Sequence, residues 1–112
     1  MRLASAAILL ALWAAPQADL AADGVPIHVP QPGQMDLCPV CGMIVSKYPN
    51  WIATVVWKNG HAHHFDGAKD MFKFLQALPK YAPGHKHDEI RFIAVTDFYN
   101  LEKIEAGKAL YV

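Results

Sequence analysis

A short segment at residues 38–43, Cys-Pro-Val-Cys-Gly-Met, brings two thiols and a thioether close together along the chain. Soft sulfur ligands select soft metal ions, and Cu(I) accepts them at low coordination number. Cys38, Cys41 and Met43 are therefore candidate ligands of one Cu(I) ion. The thioether favours copper over zinc, because protein zinc sites use thiolate, imidazole and carboxylate ligands.

A structural zinc site is the first alternative for the same two cysteines. A closed zinc site needs four ligands, so the remaining pair would have to be histidines. His61 and His63 lie two residues apart and would share one face of a strand. His85 and His87 offer a second pair if their loop is extended. One of His61 and His63 is also a candidate for completing the copper site.

Thiol–disulfide exchange is the second alternative, since Cys38 and Cys41 form a C-x-x-C motif. A catalytic pair of this kind usually lies at a helix N-terminus, where the first thiol has a lowered pKa. The residues that follow, Met43-Ile44-Val45, show no helical spacing. An oxidoreductase using these two cysteines remains the enzyme alternative.

Charge and motif content argue for a non-enzymatic binding protein. Lysine plus arginine and aspartate plus glutamate number ten each, so the formal net charge is zero with histidine neutral. No basic excess favours a nucleic-acid partner. The carboxylates show no paired spacing suited to acid–base catalysis, and the sequence has no phosphate-binding loop or nucleophile elbow.

The first 22 residues have the plan of a secretory signal peptide. Arg2 supplies a positive charge, Ala4 to Ala15 is almost wholly small or apolar, and Ala18 and Ala22 offer small residues for cleavage. The apolar run is shorter than the roughly 20 residues that a membrane-spanning helix needs. We therefore expect export to the periplasm. No cysteine at the end of the leader can carry a lipid, which leaves membrane association open.

The predicted elements begin after a linker. Residues 23–36 are rich in proline and glycine and predict an extended linker, and residues 37–112 form the predicted domain. β-Branched and aromatic side chains from Trp51 to Trp57 predict a strand. Asn59-Gly60 is a strong hairpin signal, so His61 to Phe65 is predicted to return as a second strand.

Helical spacing of apolar residues predicts an amphipathic helix from Gly67 to Leu78, with Asp66 as its N-cap and Pro79 as its stop. The remaining predicted elements are a loop, a third strand, and a single turn or loop: Lys80 to Glu89, Ile90 to Asp97 and Asn100 to Lys108.

The order strand, strand, helix, strand predicts an α+β fold, a small ββαβ unit with a largely antiparallel sheet. Leu110-Tyr111-Val112 reads as the opening of a further strand. We expect from this that the chain is a truncated form of a longer parent, and a short edge strand is the alternative.

The sequence resembles the NosL family at several separated blocks. These are Cys-Pro-Val-Cys-Gly-Met at 38–43, Lys-Tyr-Pro-Asn-Trp at 47–51, His-Phe-Asp-Gly at 64–67, Lys-Asp-Met-Phe-Lys at 69–73, Lys-Tyr-Ala-Pro-Gly at 80–84 and Val-Thr-Asp-Phe-Tyr at 95–99. The resemblance covers the chain from about Leu37 to its end, and the combination of blocks is far more specific than C-x-x-C alone.

The resemblance implies an exported copper-binding accessory protein. Members of the family are generally lipoproteins associated with delivering Cu(I) to nitrous oxide reductase during its maturation. Their fold is described as two related ββαβ units, of which this chain would be the N-terminal one. Cys38, Cys41 and Met43 carry over as candidate copper ligands. The implied partner is an acceptor cuproprotein, nitrous oxide reductase or its assembly machinery.

Overall fold

A computed structural model describes residues 28–111 as a four-stranded antiparallel sheet with two helices. The strands are β1 (Ala53–Trp57), β2 (Ala62–Phe65), β3 (Ile90–Thr96) and β4 (Lys103–Glu105), in the spatial order β2-β1-β3-β4. The helices are α1 (Ala68–Gln76) and α2 (Leu78–Tyr81). This confirms the predicted α+β class. The predicted signal peptide, residues 1–22, lies outside the described residues.

The predicted hairpin forms between β1 and β2. Gly60 has φ +92°, a left-handed conformation that glycine adopts without strain, and its N–H donates to the carbonyl of Trp57 at 2.9 Å. Strand β1 begins at Ala53 and not at the predicted Trp51. The cause is local, because the Trp51 N–H donates to the Tyr48 carbonyl in the preceding turn and is not free to pair.

One face of the sheet packs against the helices and forms the main core. Because side chains alternate along a strand, β1 directs Val55 and Trp57 to this face, where both are buried. Helix α1 covers them with Met71 and Phe74, which are also fully buried. Helix α1 is therefore fixed firmly over the sheet, and its amino-terminal end is held in a defined place.

The other face of the sheet is covered by part of the predicted linker. Residues 28–36 contain no helix or strand, yet Val29 is only 3% exposed and packs with Val56 and Ala94. His64 lies on this face as a residue of β2, with its Nδ1 2.9 Å from the Thr54 hydroxyl. All five residues of β1 are consequently buried.

Two predictions about the helices were wrong. Asp66 is not an N-cap: the N-cap of α1 is Gly67, and no side chain caps it. Pro79 does not end helical structure either, because α2 begins at Leu78 and includes Pro79 in its first turn. Proline is tolerated there since the first N–H groups of a helix need no partner within it. The predicted loop from Lys80 therefore starts with helical residues, and His87–Glu89 forms a 3-10 turn.

Strand β4 was missed by the sequence interpretation, which gave residues 100–108 as a turn or loop. Lys103, Ile104 and Glu105 pair with β3, and Ile104 is buried beside Val95. A single apolar residue in three gives too short an alternation to indicate a strand, so the pairing comes from tertiary contact. Leu110 and Tyr111, which the sequence analysis gave as the opening of a further strand, form no strand.

Candidate metal centre

The Cys-Met segment folds into a tight knuckle closed by backbone hydrogen bonds. The Cys38 N–H donates to the Met43 carbonyl at 2.8 Å, and the Gly42 N–H donates to the Cys38 carbonyl at 2.9 Å. Gly42 has φ +79°, so the reversal requires a left-handed residue at this position. The turn reverses the direction of the chain and brings Cys41 close to Cys38.

The knuckle is anchored to the core on one side only. Leu37 and Ile44 form an antiparallel bridge at its base, and the Val45 N–H donates to the Asp36 carbonyl at 3.0 Å. Val45 is fully buried, and Cys38 is only 2% exposed within the main core. Cys41, in contrast, is exposed. The two thiols therefore differ: one is fixed inside the domain and the other is presented at its surface.

Two carboxylates from the start of α1 meet the two thiols. The Cys41 thiol donates to Asp66 Oδ2 at 3.2 Å, and the Cys38 thiol donates to Asp70 Oδ2 at 3.6 Å. Asp70 lies in the first turn of α1, and Asp66 immediately precedes the N-cap residue Gly67, whose extended backbone leads into the helix. One ligand atom from each of the four residues lies within 4.8 Å of the others. This group could hold a metal ion.

The sequence interpretation did not identify Asp66 and Asp70 as site residues. Asp66 was read as a helix cap, and Asp70 was read only as part of a family block. Their contacts with the cysteines span 25 and 32 residues of sequence, and local patterns do not reveal such distances. The available signal was the Asp-x-x-x-Asp spacing at the start of a predicted helix.

Met43 is the last residue of the knuckle and does not belong to the core. Met43 is 44% exposed, so it does not fill a gap in the core as many methionines do. The Met43 backbone N–H is hydrogen-bonded to the Cys41 sulfur. Met43 thus lies two residues after Cys41 in the chain, and its side chain is open to solvent.

The candidate histidines lie outside the group of two cysteines and two aspartates. His61 is exposed beside the hairpin turn. His63 accepts a hydrogen bond at Nδ1 from Trp57 Nε1 at 2.8 Å, and its ring lies 5.1 Å from that of Phe74. The His85 ring lies against that of Trp57, with centroids 4.4 Å apart and the ring planes tilted by 34°. The four-residue group contains no histidine, so a Cys2His2 zinc set is not assembled among residues 28–111.

Comparison with protein-family models identifies the family of the chain. The model described as NosL matches residues 29–112, a span that includes the knuckle, both aspartates and all four strands. The chain belongs to the NosL family. Comparisons with curated proteins and with solved structures found no match. The resemblance inferred from the sequence blocks is confirmed.

Membership of the NosL family indicates a copper-related accessory role, and proteins of this family are generally exported. Across the described residues of this NosL chain, the helices are all too short or too polar to cross a bilayer. Two thiols at the centre fit a copper-related role, since they are the softest ligands that a protein chain offers.

The electrostatic surroundings of the knuckle keep Cys41 protonated when no metal is bound. Loss of hydration raises the pKa of the Cys41 thiol to about 12, and the hydrogen bonds with Asp66, Asp70 and Cys38 act in the same direction. The Met43 N–H opposes the shift by donating to the sulfur. Although Cys41 is exposed as a residue, its sulfur lies among carboxylates, where a thiolate without a cation is unfavourable.

Gly42→Ala should weaken the knuckle. Its φ of +79° disfavours any residue with a Cβ, although a Cβ would meet no atom within 4 Å, so the cost is conformational. We expect the free energy of unfolding to fall by about 1 kcal/mol, measured by urea denaturation. The control is Gly107→Ala, where φ is not positive and a Cβ would lie 3.7 Å from Glu105 Oε1. Equal stability of the two variants would contradict the strained-turn explanation.

Proposed function

We propose that this protein is an exported, non-enzymatic carrier of Cu(I). It binds one ion through Cys38, Cys41 and Met43 and passes it to an acceptor cuproprotein such as nitrous oxide reductase in the periplasm. The observation that carries the proposal is the asymmetry of the knuckle. A cysteine that is 2% exposed shares one tight turn with an exposed cysteine and with a methionine that is 44% exposed.

This asymmetry suits transfer better than storage. Cys38 holds one side of the ion inside the domain, and Cys41 and Met43 leave the other side open. A thiolate or imidazole of an acceptor can therefore enter before Cys41 or Met43 leaves, because Cu(I) accepts two or three ligands. The ion is never released into water during the exchange.

The raised pKa of Cys41 argues against the thiol–disulfide oxidoreductase alternative. An exchange catalyst needs a thiolate near neutral pH, and such proteins lower the pKa of the attacking thiol. Here the first thiol, Cys38, is only 2% exposed, and loss of hydration, followed by the neighbouring carboxylates, raises the pKa of the accessible thiol, Cys41, to about 12. The knuckle also precedes a 3-10 turn at Val45–Lys47 and not an α-helix, so no long helix dipole acts on the first thiol.

Met43→Leu tests the three-ligand site directly. Leucine keeps the size of the side chain but removes the sulfur, so we expect Cu(I) affinity to fall by about 10-fold or more. The measurement is an anaerobic titration of the reduced chain with Cu(I) against a chromophoric chelator. Met35→Leu is the matched control, because Met35 is 73% exposed and lies outside the knuckle.

Two results would contradict the proposal. If Met43→Leu and Met35→Leu bind Cu(I) as tightly as the parent chain, the thioether is not a ligand. If the metal-free chain reduces insulin disulfides at a catalytic rate, the oxidoreductase alternative replaces the carrier.

A further inference from the structure

The two thiols of the knuckle have more carboxylates beside them than a copper carrier requires. Cu(I) is satisfied by the sulfur atoms of Cys38, Cys41 and Met43, and it has little affinity for carboxylate oxygen. Nevertheless, Asp66 and Asp70 each place an oxygen within 3.6 Å of a cysteine sulfur. Asp70 lies in the first turn of α1 and Asp66 immediately precedes its N-cap, and the helix is held in position by buried Met71 and Phe74.

We propose that Asp66 and Asp70 determine the metal specificity of this site, by lowering its affinity for Cu(I) and raising its affinity for Zn(II). The proposal rests on the carrier function, since it assigns these two residues a role at the same thiol pair. In this assignment Zn(II) takes a Cys2Asp2 ligand set, and Cu(I) takes the two cysteines with Met43.

The charge balance gives the direction of each effect. Two thiolates with one Cu(I) carry a net charge of −1, which two neighbouring carboxylates repel. Two thiolates with one Zn(II) are neutral, and the carboxylates add attraction as direct ligands. Coulomb interactions at about 4 Å between partly buried groups are strong enough to change affinities measurably. The carboxylates therefore act on the two ions with opposite sign.

The ligand geometry supports the same assignment. Zinc favours four ligands in a tetrahedron and accepts thiolate sulfur together with aspartate oxygen. The four candidate atoms lie within 4.8 Å of one another, close enough for small side-chain movements to place them around one ion. Each carboxylate already contacts its own sulfur, Asp66 that of Cys41 and Asp70 that of Cys38.

For a carrier, lowered Cu(I) affinity has a use. A site of two thiolates and a thioether without nearby negative charge would hold Cu(I) tightly and release it slowly. Repulsion between Asp66 and Asp70 and the anionic complex of Cu(I) with two thiolates favours transfer of the ion to an acceptor. The accompanying cost is that Zn(II) competes for the empty site.

The test compares Cu(I) and Zn(II) affinities in Asp66→Asn, Asp70→Asn and the double variant. Asparagine keeps the shape of each side chain and removes its charge. The reduced full chain is titrated anaerobically with each metal alone against a chromophoric chelator. Asp88→Asn is the matched control, because Asp88 is exposed in the 3-10 turn His87–Glu89, outside the four-residue group. Thermal melts verify that each variant is folded.

We expect the double variant to bind Zn(II) at least about 10-fold more weakly and Cu(I) more tightly. The ratio of Cu(I) to Zn(II) affinity should thus rise more than about 10-fold, with each single variant in between and Asp88→Asn unchanged. A smaller rise, no change or a fall in this ratio overturns the proposal. A purely structural role would weaken both metals together and so leave the ratio unchanged.

Failure of the carrier function has a different signature. It would appear in the parent chain as absence of tight Cu(I) binding, whatever the aspartate variants do. The Zn(II) measurements would then still decide whether the two carboxylates are ligands.

Discussion

Cys41→Ala is expected to abolish tight Cu(I) binding while leaving the fold intact. Removing even a residue that supports a ligand costs about 10- to 100-fold in metal affinity, so loss of a thiolate ligand should cost more than about 100-fold. Cys41 is exposed and lies outside the core clusters, so we expect the free energy of unfolding to change by less than about 0.5 kcal/mol. Chelator competition and urea denaturation measure the two quantities.

Cys38→Ala is the informative comparison for this experiment. Its side chain is buried in the main core beside Val45, so its truncation should reduce both metal affinity and stability. The two single variants therefore separate ligand loss from core damage. Retention of parent-like Cu(I) affinity in Cys41→Ala would show that copper binds elsewhere on the chain.

Phe74→Ala should have the largest effect on stability. Phe74 is fully buried in α1, and its ring lies 4.9 Å from Phe65, 5.1 Å from His63 and 6.4 Å from Trp57. Truncation of a buried phenylalanine costs about 3–5 kcal/mol. Small domains have total stabilities of about 5–15 kcal/mol, so the variant should be largely destabilised. Urea denaturation followed by circular dichroism measures the loss.

Phe72→Ala is the control for this prediction, because the same substitution is made two residues away on the outer side of α1. Phe72 is 39% exposed, and its ring contact is with Tyr111 at 5.5 Å. We expect a loss of no more than about 1 kcal/mol. Similar losses in both variants would mean that α1 does not pack as described.

The local parts of the fold were predictable from the sequence. Asn59-Gly60 indicates a tight hairpin turn, for which Gly60 supplies the left-handed backbone conformation. The β-branched and aromatic side chains of β1 indicate a strand. The amphipathic pattern of α1 identifies its buried face. These signals lie within a few residues of the structure that they specify, and the predicted elements appear with shifted ends.

The remaining parts depend on contacts that no local pattern records. Strand β4 forms because Ile104 pairs with Val95 of β3 and packs into the main core. Asp66 was expected to cap a helix because aspartate is a preferred N-cap residue. The folded chain instead places its carboxylate against the Cys41 thiol, 25 residues away. The thiols were identifiable from sequence because residues 38–43 form one turn, whereas their acidic partners were not.

The compactness of the knuckle has a consequence for the order of loading and folding. Cys38, Cys41 and Met43 lie within six residues of one another, on a single turn closed by its own backbone hydrogen bonds. An unfolded chain therefore already carries all three sulfur ligands at short range. An ion that binds both the unfolded and the folded chain stabilises the fold less than one that binds only the folded chain. Capture of Cu(I) at this knuckle is consequently only weakly linked to folding, whereas any ion that also needs the carboxylates of α1 must wait until the helix has docked.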